Sequence, residues 1–403
     1  MAPIAKRILF ISNGHGEDNH SSYIIETLRE LCPSLDIAAM PIVGEGGAYR
    51  RLKVPIIGPT QIMPSGGFTY MNRFKLLEDI GSGLIGLTWR QLQAVRQYAA
   101  TCDLIHATGD TIGQGFAYLS GLPFVSFISC LSSLYEGKLY VGPILRHIFN
   151  SQRCLAIFTR DPYTAEDLQR QGFSKAKFGG IPSLDRLLPT GKYLPLKPDL
   201  PIIALLPGSR LPEAVRNFRL QLRLVREITD LQPQPPVQFC AALVPSLIAQ
   251  LPEIAAAEGW QQTGDKLSAP DGAQVWCDAD AFNDILHSST LVIGMAGLAV
   301  DQAVALGKPI IQIPGEGPQF TYAFAEAQTR LLGINAQTIG TKPATPEILK
   351  AAARRTLETL EDADYLAACA EQGKNRLGSL GASFRIAHLL LEYLGETAAD
   401  KSS

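Results

Sequence analysis

Residues 294–319 read GMAGLAVDQAVALGKPIIQIPGEGPQ, and they leave few folds open to the chain. They follow an apolar run, Thr290-Leu291-Val292-Ile293, short and β-branched as a buried strand requires. Gly294 and Gly297 allow a tight turn with no Cβ in the way. Residues 298–306 suit a helix, and Gly307-Lys308-Pro309 stops it. Residues 309–314 form a second apolar strand, followed by the loop Gly315-Glu316-Gly317-Pro318-Gln319. The pattern is a βαβ unit with a glycine-rich turn at a helix N-terminus. Such a turn offers backbone N–H groups and the positive end of a helix dipole to a phosphate. The plainer reading is a crossover that needs its glycines. Asp301, one turn into the helix, can accept hydrogen bonds from a ribose.

At 403 residues, with 46% hydrophobic and 18% charged, the chain can fill two sizeable cores. A net charge of −2 leaves no electrostatic footprint for nucleic acid. The seven cysteines are scattered without a CxxC pair, which points to reduced core residues in a cytoplasmic protein. No run is long enough for a transmembrane helix, and the first residues lead into a strand rather than a signal peptide.

Strands and helices alternate from the start. Residues 7–12 (RILFIS) are a buried strand. The turn Asn13-Gly14-His15-Gly16-Glu17-Asp18 follows, then a helix over about 21–31. Strands are expected at 35–40 and 54–57. A strand at 103–108 ends in Gly109-Asp110, with a helix at 113–120 and a strand at 123–128 after it. Residues 154–159 are a further strand and 161–171 a further helix. The proline-rich, polar segment 189–201 breaks this rhythm and reads as a linker. The alternation restarts with a strand at 202–206, the turn Pro207-Gly208-Ser209-Arg210 and a helix at 213–231. Strands at 237–243, 274–277 and 290–293 continue it. The expected fold class is α/β, with two Rossmann-like doubly wound domains of parallel sheet facing a cleft. Residues 1–190 form the first domain and 191–375 the second. Residues 376–403 carry a last helix, able to pack back on the first domain, and a polar tail.

Residues 63–90 do not fit the alternation. They are rich in aromatic and aliphatic side chains, among them Phe68, Phe74, Leu77 and Trp89, interleaved with Arg73, Lys75 and Arg90. They read either as core helices with a Gly-rich bend or as an amphipathic surface that meets a bilayer or a lipid.

Four loops at strand ends carry the chemistry. In LLPGSRLPE, Gly208 lets the backbone approach a ligand, Ser209 can donate, and Arg210 can hold a diphosphate oxygen. Together with the turn at Gly294, Ala296, Gly297 and Leu298, this fits a nucleotide diphosphate. The other two loops, Asn13 to Asp18 and Gly109-Asp110, are acidic and belong to the first domain.

LLPGSR followed by glutamate is similar to a motif of lipid-A-disaccharide synthase, a glycosyltransferase of the GT-B fold. Residues 294–319 resemble the sugar-nucleotide element shared with the peptidoglycan UDP-GlcNAc transferase. The nearest resemblance is to the lipid-A-disaccharide-synthase-related proteins found notably in cyanobacteria. It covers most of the second domain and the layout of the first. It implies a nucleotide diphosphate sugar, UDP-linked by analogy, in the second domain and a lipid or lipid-linked acceptor in the first. Asn13, Gly14, Gly16 and Asp18 occupy the place of the synthase's first glycine-rich acidic loop, with different letters. Asp110 falls near an aspartate the synthase needs. A ribose-binding glutamate of the peptidoglycan enzyme falls on Gln302, with Asp301 beside it. Phe282, at the start of the helix after strand 274–277, and Gln319 are further donor-side candidates.

The resemblance implies inversion at the anomeric carbon without a covalent intermediate. The acceptor hydroxyl then needs a base, for which His15, Glu17, Asp18 and Asp110 are candidates. Glu17 and Asp18 could instead cap the following helix. No paired carboxylates at metal-ligand spacing accompany the diphosphate loops, so neither metal nor cofactor is expected. Arg210 and the N-terminus of the helix at Leu298 would stabilise the leaving diphosphate. The expected setting is cytoplasmic and peripherally bound to a membrane through residues 63–90. A UDP-GlcNAc 2-epimerase-like isomerase and a non-catalytic sugar-nucleotide binder are the alternatives.

Overall fold

A computed structural model describes residues 6–61, 84–232, 236–317, 320–378 and 380–396. The chain divides into two compact units, one of Met1–Arg186 with Ser379–Ser403 and one of Leu187–Gly378.

The first unit runs β1 (Arg7–Ser12), α1 (His15–Leu31), β2 (Asp36–Pro41), α2 (Gly47–Arg51), α3 (Leu84–Ala99), β3 (Leu104–Thr108), α4 (Thr111–Leu119), β4 (Phe124–Ile128), α5 (Pro143–Asn150), β5 (Cys154–Thr159), α6 (Pro162–Arg170) and β6 (Ala176–Phe178). Its six strands are ordered β2-β1-β3-β4-β5-β6, all parallel. Strand alternation divides the core in two. Ile8 and Phe10 of β1 pack with Ile24, Ile25 and Leu28 of α1. Leu9 and Ile11 face the other way, with Val95, Phe116 and Phe149 from α3, α4 and α5. Each such fully buried aliphatic side chain contributes about 1.5–3 kcal/mol.

The second unit runs β7 (Ile202–Leu206), α7 (Glu213–Asp230), β8 (Gln238–Ala242), α8 (Pro245–Ile248), α9 (Leu251–Glu258), β9 (Gln261–Thr263), β10 (Lys266–Ser268), β11 (Gln274–Asp278), α10 (Phe282–Ser288), β12 (Leu291–Gly294), α11 (Leu298–Ala305), β13 (Ile310–Gln312), α12 (Tyr322–Leu332), β14 (Ala336–Thr338), α13 (Pro346–Glu361) and α14 (Ala363–Leu377). The sheet order is β14-β13-β12-β7-β8-β11-β10-β9. After Gly378 the chain returns to the first unit as α15 (Ala382–Leu394), whose Ile386, Leu390 and Leu391 join the core around α1. Its N-cap is Gly381, which offers no side chain. Asp185 substitutes, accepting from the backbone N–H of Gly381 (2.5 Å), Ala382 (3.2 Å) and Ser383 (2.6 Å).

Three expectations from the sequence need correction. The sheet of the second unit is not purely parallel, because β9 and β10 add an antiparallel edge to β11. Residues 54–57 are no strand: a single bridge joins Ile56 to Ala39, and Pro55 has no N–H for a ladder. Helix α1 starts at His15 rather than near residue 21. Gly14 is its extended N-cap, and the Gly14 carbonyl already accepts from Asp18 N at 2.8 Å. Residues 15–18, expected as turn, are therefore the first turn of a helix.

The proline-rich segment is held at its start. Asp284 of α10 accepts from Thr190 N (3.0 Å), Thr190 Oγ1 (2.6 Å), Gly191 N (2.8 Å) and Lys192 N (3.2 Å). Burial opposes its ionisation, yet these donors hold its pKa below the usual carboxylate range. Of the seven cysteines, Cys130 is exposed, Cys102 half-buried and the other five buried.

Candidate functional site

In an open α/β sheet, ligands gather where the strand order reverses, beyond the carboxyl ends of the strands. Each unit has one such point, between β1 and β3 in the first and between β7 and β12 in the second.

In the second unit that point joins two loops read from the sequence. Strands β7 and β12 pair in parallel with Gly294 opposite Leu206, so Pro207 and Met295 leave the sheet side by side. Gly208 takes φ +95°, and a Cβ on it would lie 3.2 Å from the Met295 carbonyl oxygen. Asn217 of α7 fastens the loops together, its Nδ2 donating to the carbonyls of Pro207 (3.0 Å) and Met295 (3.3 Å). Ser209 and Arg210 stand exposed beyond this junction. Gly294 is needed for packing, since its Cβ would meet Val300 Cγ2 at 2.6 Å and Ile310 Cγ2 at 3.1 Å. Gly297 is the N-cap of α11 and is exposed, and no side chain caps that helix. Leu298 and Gln302 are half-buried, and Ala296 and Asp301 buried.

The loop after β13 reaches the same place. Glu213 accepts from Phe320 N at 2.8 Å, and Arg216 Nε donates to the Glu316 carbonyl at 2.8 Å. A Cβ on Gly315 would lie 2.8 Å from Met295 Cε and 2.9 Å from Asn217 Oδ1. Gln319 lies outside the described residues. Phe282 begins α10 after β11 and is half-buried. Three of these loops thus converge on the first two turns of α7.

In the first unit the junction is acidic. Asn13 N donates to the Thr108 carbonyl at 3.2 Å, linking the ends of β1 and β3. Gly109 takes φ +131°, and its Cβ would lie 2.8 Å from Asn13 Cβ and 3.6 Å from Glu17 Cγ. Asp110 is the N-cap of α4, accepting from Ile112 N at 2.9 Å. Burial raises its pKa, with hydrogen bonds from Ile112 and the Asn13 side chain pulling the other way. Glu17 Oε1 accepts from the Cys130 thiol at 2.7 Å. Desolvation around Sγ, then the Glu17 charge, push that thiol's pKa well up, so it is a neutral donor. The junction therefore brings together Asn13, Gly14, Glu17, Gly109, Asp110 and Cys130.

The remaining loop residues point elsewhere. His15 is exposed and leans over Gly44, where a Cβ would lie 2.6 Å from its Cε1. Gly16 is half-buried, and a Cβ added to it would meet nothing within 4 Å. Asp18 caps nothing: it is 1% exposed and accepts from Ser12 Oγ at 2.6 Å, with the Tyr49 hydroxyl 2.6 Å from the same oxygen. Burial pushes its pKa up to about 7, against the pull of Ser12. Neighbours in sequence, Glu17 and Asp18 thus lie in different surroundings. Asn217 and Cys130 are the additions that the sequence did not announce. Their positions, two turns into a helix and just past a strand end, were the available signal. Among the described residues no group of three or more His, Cys, Asp or Glu is arranged to hold a metal ion. Among them, too, no helix is long and apolar enough to cross a membrane.

Two Rossmann-like units of this kind make up the GT-B fold of glycosyltransferases and UDP-GlcNAc 2-epimerases. The calicheamicin glycosyltransferase CalG4 matches 98% of this chain and 100% of its own at a TM-score of 0.62 and 13% identity. Acinetobacter baumannii MurG gives 0.59 at 15% identity, over 96% of this chain and 99% of that one. UDP-GlcNAc 2-epimerase from Neisseria meningitidis, solved with UDP-GlcNAc, gives 0.57 at 13% identity, over 96% and 100%.

Within that fold, the curated proteins that match in sequence are lipid-A-disaccharide synthases. The one from Geobacter sulfurreducens is 26% identical over 254 residues, 58% of this chain and 61% of that protein. The one from Alkalilimnicola ehrlichii is 29% identical over 175 residues, 40% of each. The chain thus spans about three fifths of the first relative and two fifths of the second. No family model matches the chain. Together these likenesses support an enzyme of glycosyltransferase type.

Proposed function

We propose that the protein is an inverting, metal-independent glycosyltransferase that moves a sugar from a UDP-linked donor to a lipid or lipid-linked acceptor. The observation that carries the reading is the switch point of the second unit. There an exposed Ser209-Arg210 pair and the uncapped N-terminus of α11 lie on loops fastened together by Asn217. Backbone N–H groups and a guanidinium are what a diphosphate needs, in the ground state and more so as it leaves with added charge. The UDP-GlcNAc carried by the Neisseria neighbour supports a nucleotide sugar as the donor.

In this reaction the acceptor hydroxyl loses its proton to a base while its oxygen attacks the anomeric carbon. The bond from that carbon to the diphosphate oxygen breaks, and the electron pair leaves with the diphosphate. Glu17 and Asp110 are the proposed bases, because both stand at the switch point of the first unit. Cys130 donates to one oxygen of Glu17 and leaves the other for the acceptor. The lipid nature of the acceptor is supported by the synthase relatives and by exposed apolar side chains. Ile85 and Trp89 of α3, Ile112 beside Asp110, and Tyr140 and Ile144 at the start of α5 are all exposed. Residues 62–83, the greater part of the segment expected to meet the membrane, lie outside the described residues. A lipid acceptor leaves the bilayer at a cost of about 0.8 kcal/mol per CH₂, so the enzyme is proposed to work in the cytoplasm at the membrane surface.

The test is turnover with UDP-sugars and a lipid acceptor extract. Glu17→Gln and Asp110→Asn should each cut the rate by about 10²–10⁴-fold while UDP binding survives. Epimer formation from UDP-GlcNAc without any acceptor would favour the isomerase instead. Nucleotide binding with no turnover of either kind would leave a binding protein.

A further inference from the structure

Gln328 of α12 is 5% exposed, and its amide is spent wholly on the protein. Nε2 donates to the carbonyls of Ala296 and Gly297, both at 3.2 Å. Oε1 accepts from Nε2 of Gln312, a fully buried residue of β13, at 2.6 Å. Gln312 Oε1 in turn accepts from Thr338 Oγ1 of β14 at 3.1 Å. The orientation of the Gln328 amide follows from its neighbours. Two carbonyls face one of its atoms, so that atom is the nitrogen. The reverse would set oxygen against two oxygens and nitrogen against nitrogen.

Two glutamines in series are an expensive filling for buried positions of β13 and α12. Apolar side chains would occupy the space without desolvating two amides. What the string achieves is to hold the Ala296 carbonyl inward and to add to the Val300 (3.0 Å) and Asp301 (3.4 Å) N–H groups that also hold the carbonyl of Gly297. In a trans peptide C=O and N–H point in opposite directions. Pulling in these two oxygens therefore turns outward the N–H groups of Gly297 and Leu298, at the start of α11. We infer that Gln328 is a positioning residue, which aims these two N–H groups at the diphosphate of the donor. The inference rests on the donor-site reading above and adds to it the element that sets the turn.

The experiment compares UDP with uridine, which shares the base and ribose but lacks phosphate. Calorimetry on the full-length protein should find that Gln328→Met weakens UDP about tenfold or more and changes uridine by less than twofold. Gln312→Met, which removes the donor to Gln328 Oε1, should move UDP in the same direction by less. If Gln328→Met does not fold, Gln312→Met decides by the same ratio. Unchanged UDP affinity, or equal losses of UDP and uridine, would overturn the assignment. Arg210→Ala probes the donor site without touching the glutamine string. If the wild-type protein binds neither ligand, the donor-site reading falls, and amide exchange in the free protein judges Gln328 alone. Faster exchange at Gly297 and Leu298 in Gln328→Met supports the positioning role, and unchanged exchange refutes it.

Discussion

Replacing Gly294 by alanine tests how tightly α11 is set on its sheet. The backbone there tolerates a side chain, so the cost is one of space. A new Cβ would lie 2.6 Å from Val300 Cγ2, in the first turn of α11, and 3.1 Å from Ile310 Cγ2 on β13. Carbon atoms pack best at about 3.5–4.0 Å, so the Val300 contact is about 1 Å too short. Val300 and Ile310 are fully buried and have nowhere to turn. Overpacking of this kind costs about 1–3 kcal/mol, offset by about 0.4–1 kcal/mol from a stiffer unfolded chain. Gly294→Ala should therefore destabilise the second unit by about 1–2 kcal/mol.

Val300→Ala alone removes two methyl groups, a loss of about 2 kcal/mol with its cavity. In that background the added methyl finds the vacated space, and Gly294→Ala should be neutral or slightly stabilising. The coupling between the two changes is then about 2 kcal/mol, well above ordinary non-additivity. Urea unfolding followed by tryptophan emission reads this unit, because Trp260 is buried in it whereas Trp89 of the other unit is 58% exposed. Equal costs of Gly294→Ala in both backgrounds would refute the steric account.

Four further outcomes follow from the same geometry. Arg210→Ala should weaken UDP by about 1.5–3 kcal/mol in calorimetry, and an unchanged affinity removes it from the site. Asp284→Ala should release Thr190, Gly191 and Lys192 from α10, seen as faster tryptic cleavage after Lys192 in the folded protein. Burial pushes His20 and His106 down to about 3, so each stays neutral when folded and takes a proton on unfolding below about pH 6.5. Their contribution is full above that pH and lost as pH falls towards 3. Asp18, raised to about 7, works in the opposite sense, its contribution being full near pH 4 and lost as pH rises through 7. Among these three groups two protons against one leave a net loss of about 1.4 kcal/mol per unit of falling pH near pH 5, and Asp18→Asn should steepen the dependence read in urea titrations by about the same amount. Phe384→Ser, at an exposed position of α15, should leave stability within about 0.5 kcal/mol, whereas Leu390→Ala beside it in the core should cost about 2–5 kcal/mol.

Much of this arrangement was legible in the sequence because it depends on the length and period of apolar runs. RILFIS, CLAIFT and IIALL are strands with the bounds that their letters suggest. Glycine is needed at 208 because of a positive φ and at 294, the end of β12, because of the close approach of Val300. Other features hid because their cause is non-local. The three-residue strands β9 and β10, QQT and KLS, are too short and polar to announce themselves. Glu17 and Asp18 look alike on paper, and only the position of Ser12 and Tyr49 draws one of them inside. Gln312 was visible as a polar letter in IIQIP, but its purpose needs Gln328, sixteen positions on, to be seen.

The two switch points differ in the groups that hold them, and the difference suits their proposed partners. In the second unit the turn is fastened by neutral amides, those of Asn217, Gln312 and Gln328. The nearby carboxylate of Glu213 accepts from Phe320 N on the far loop. A carboxylate in place of Gln328 would accept hydrogen bonds where the two carbonyls need donors, and would add a negative charge behind a turn proposed to hold an anion. With the peptide between them the two charges would lie about 8 Å apart, and at an effective dielectric of about 20 one such charge costs about 2 kcal/mol against each unit of diphosphate charge. In the first unit Glu17 and Asp110 stand at the junction itself, where in the proposed reaction a hydroxyl loses a proton. Gln328→Glu should consequently harm UDP binding more than Gln328→Met, although glutamate matches glutamine in shape. The reverse order would mean that the string fills space and does not set charge.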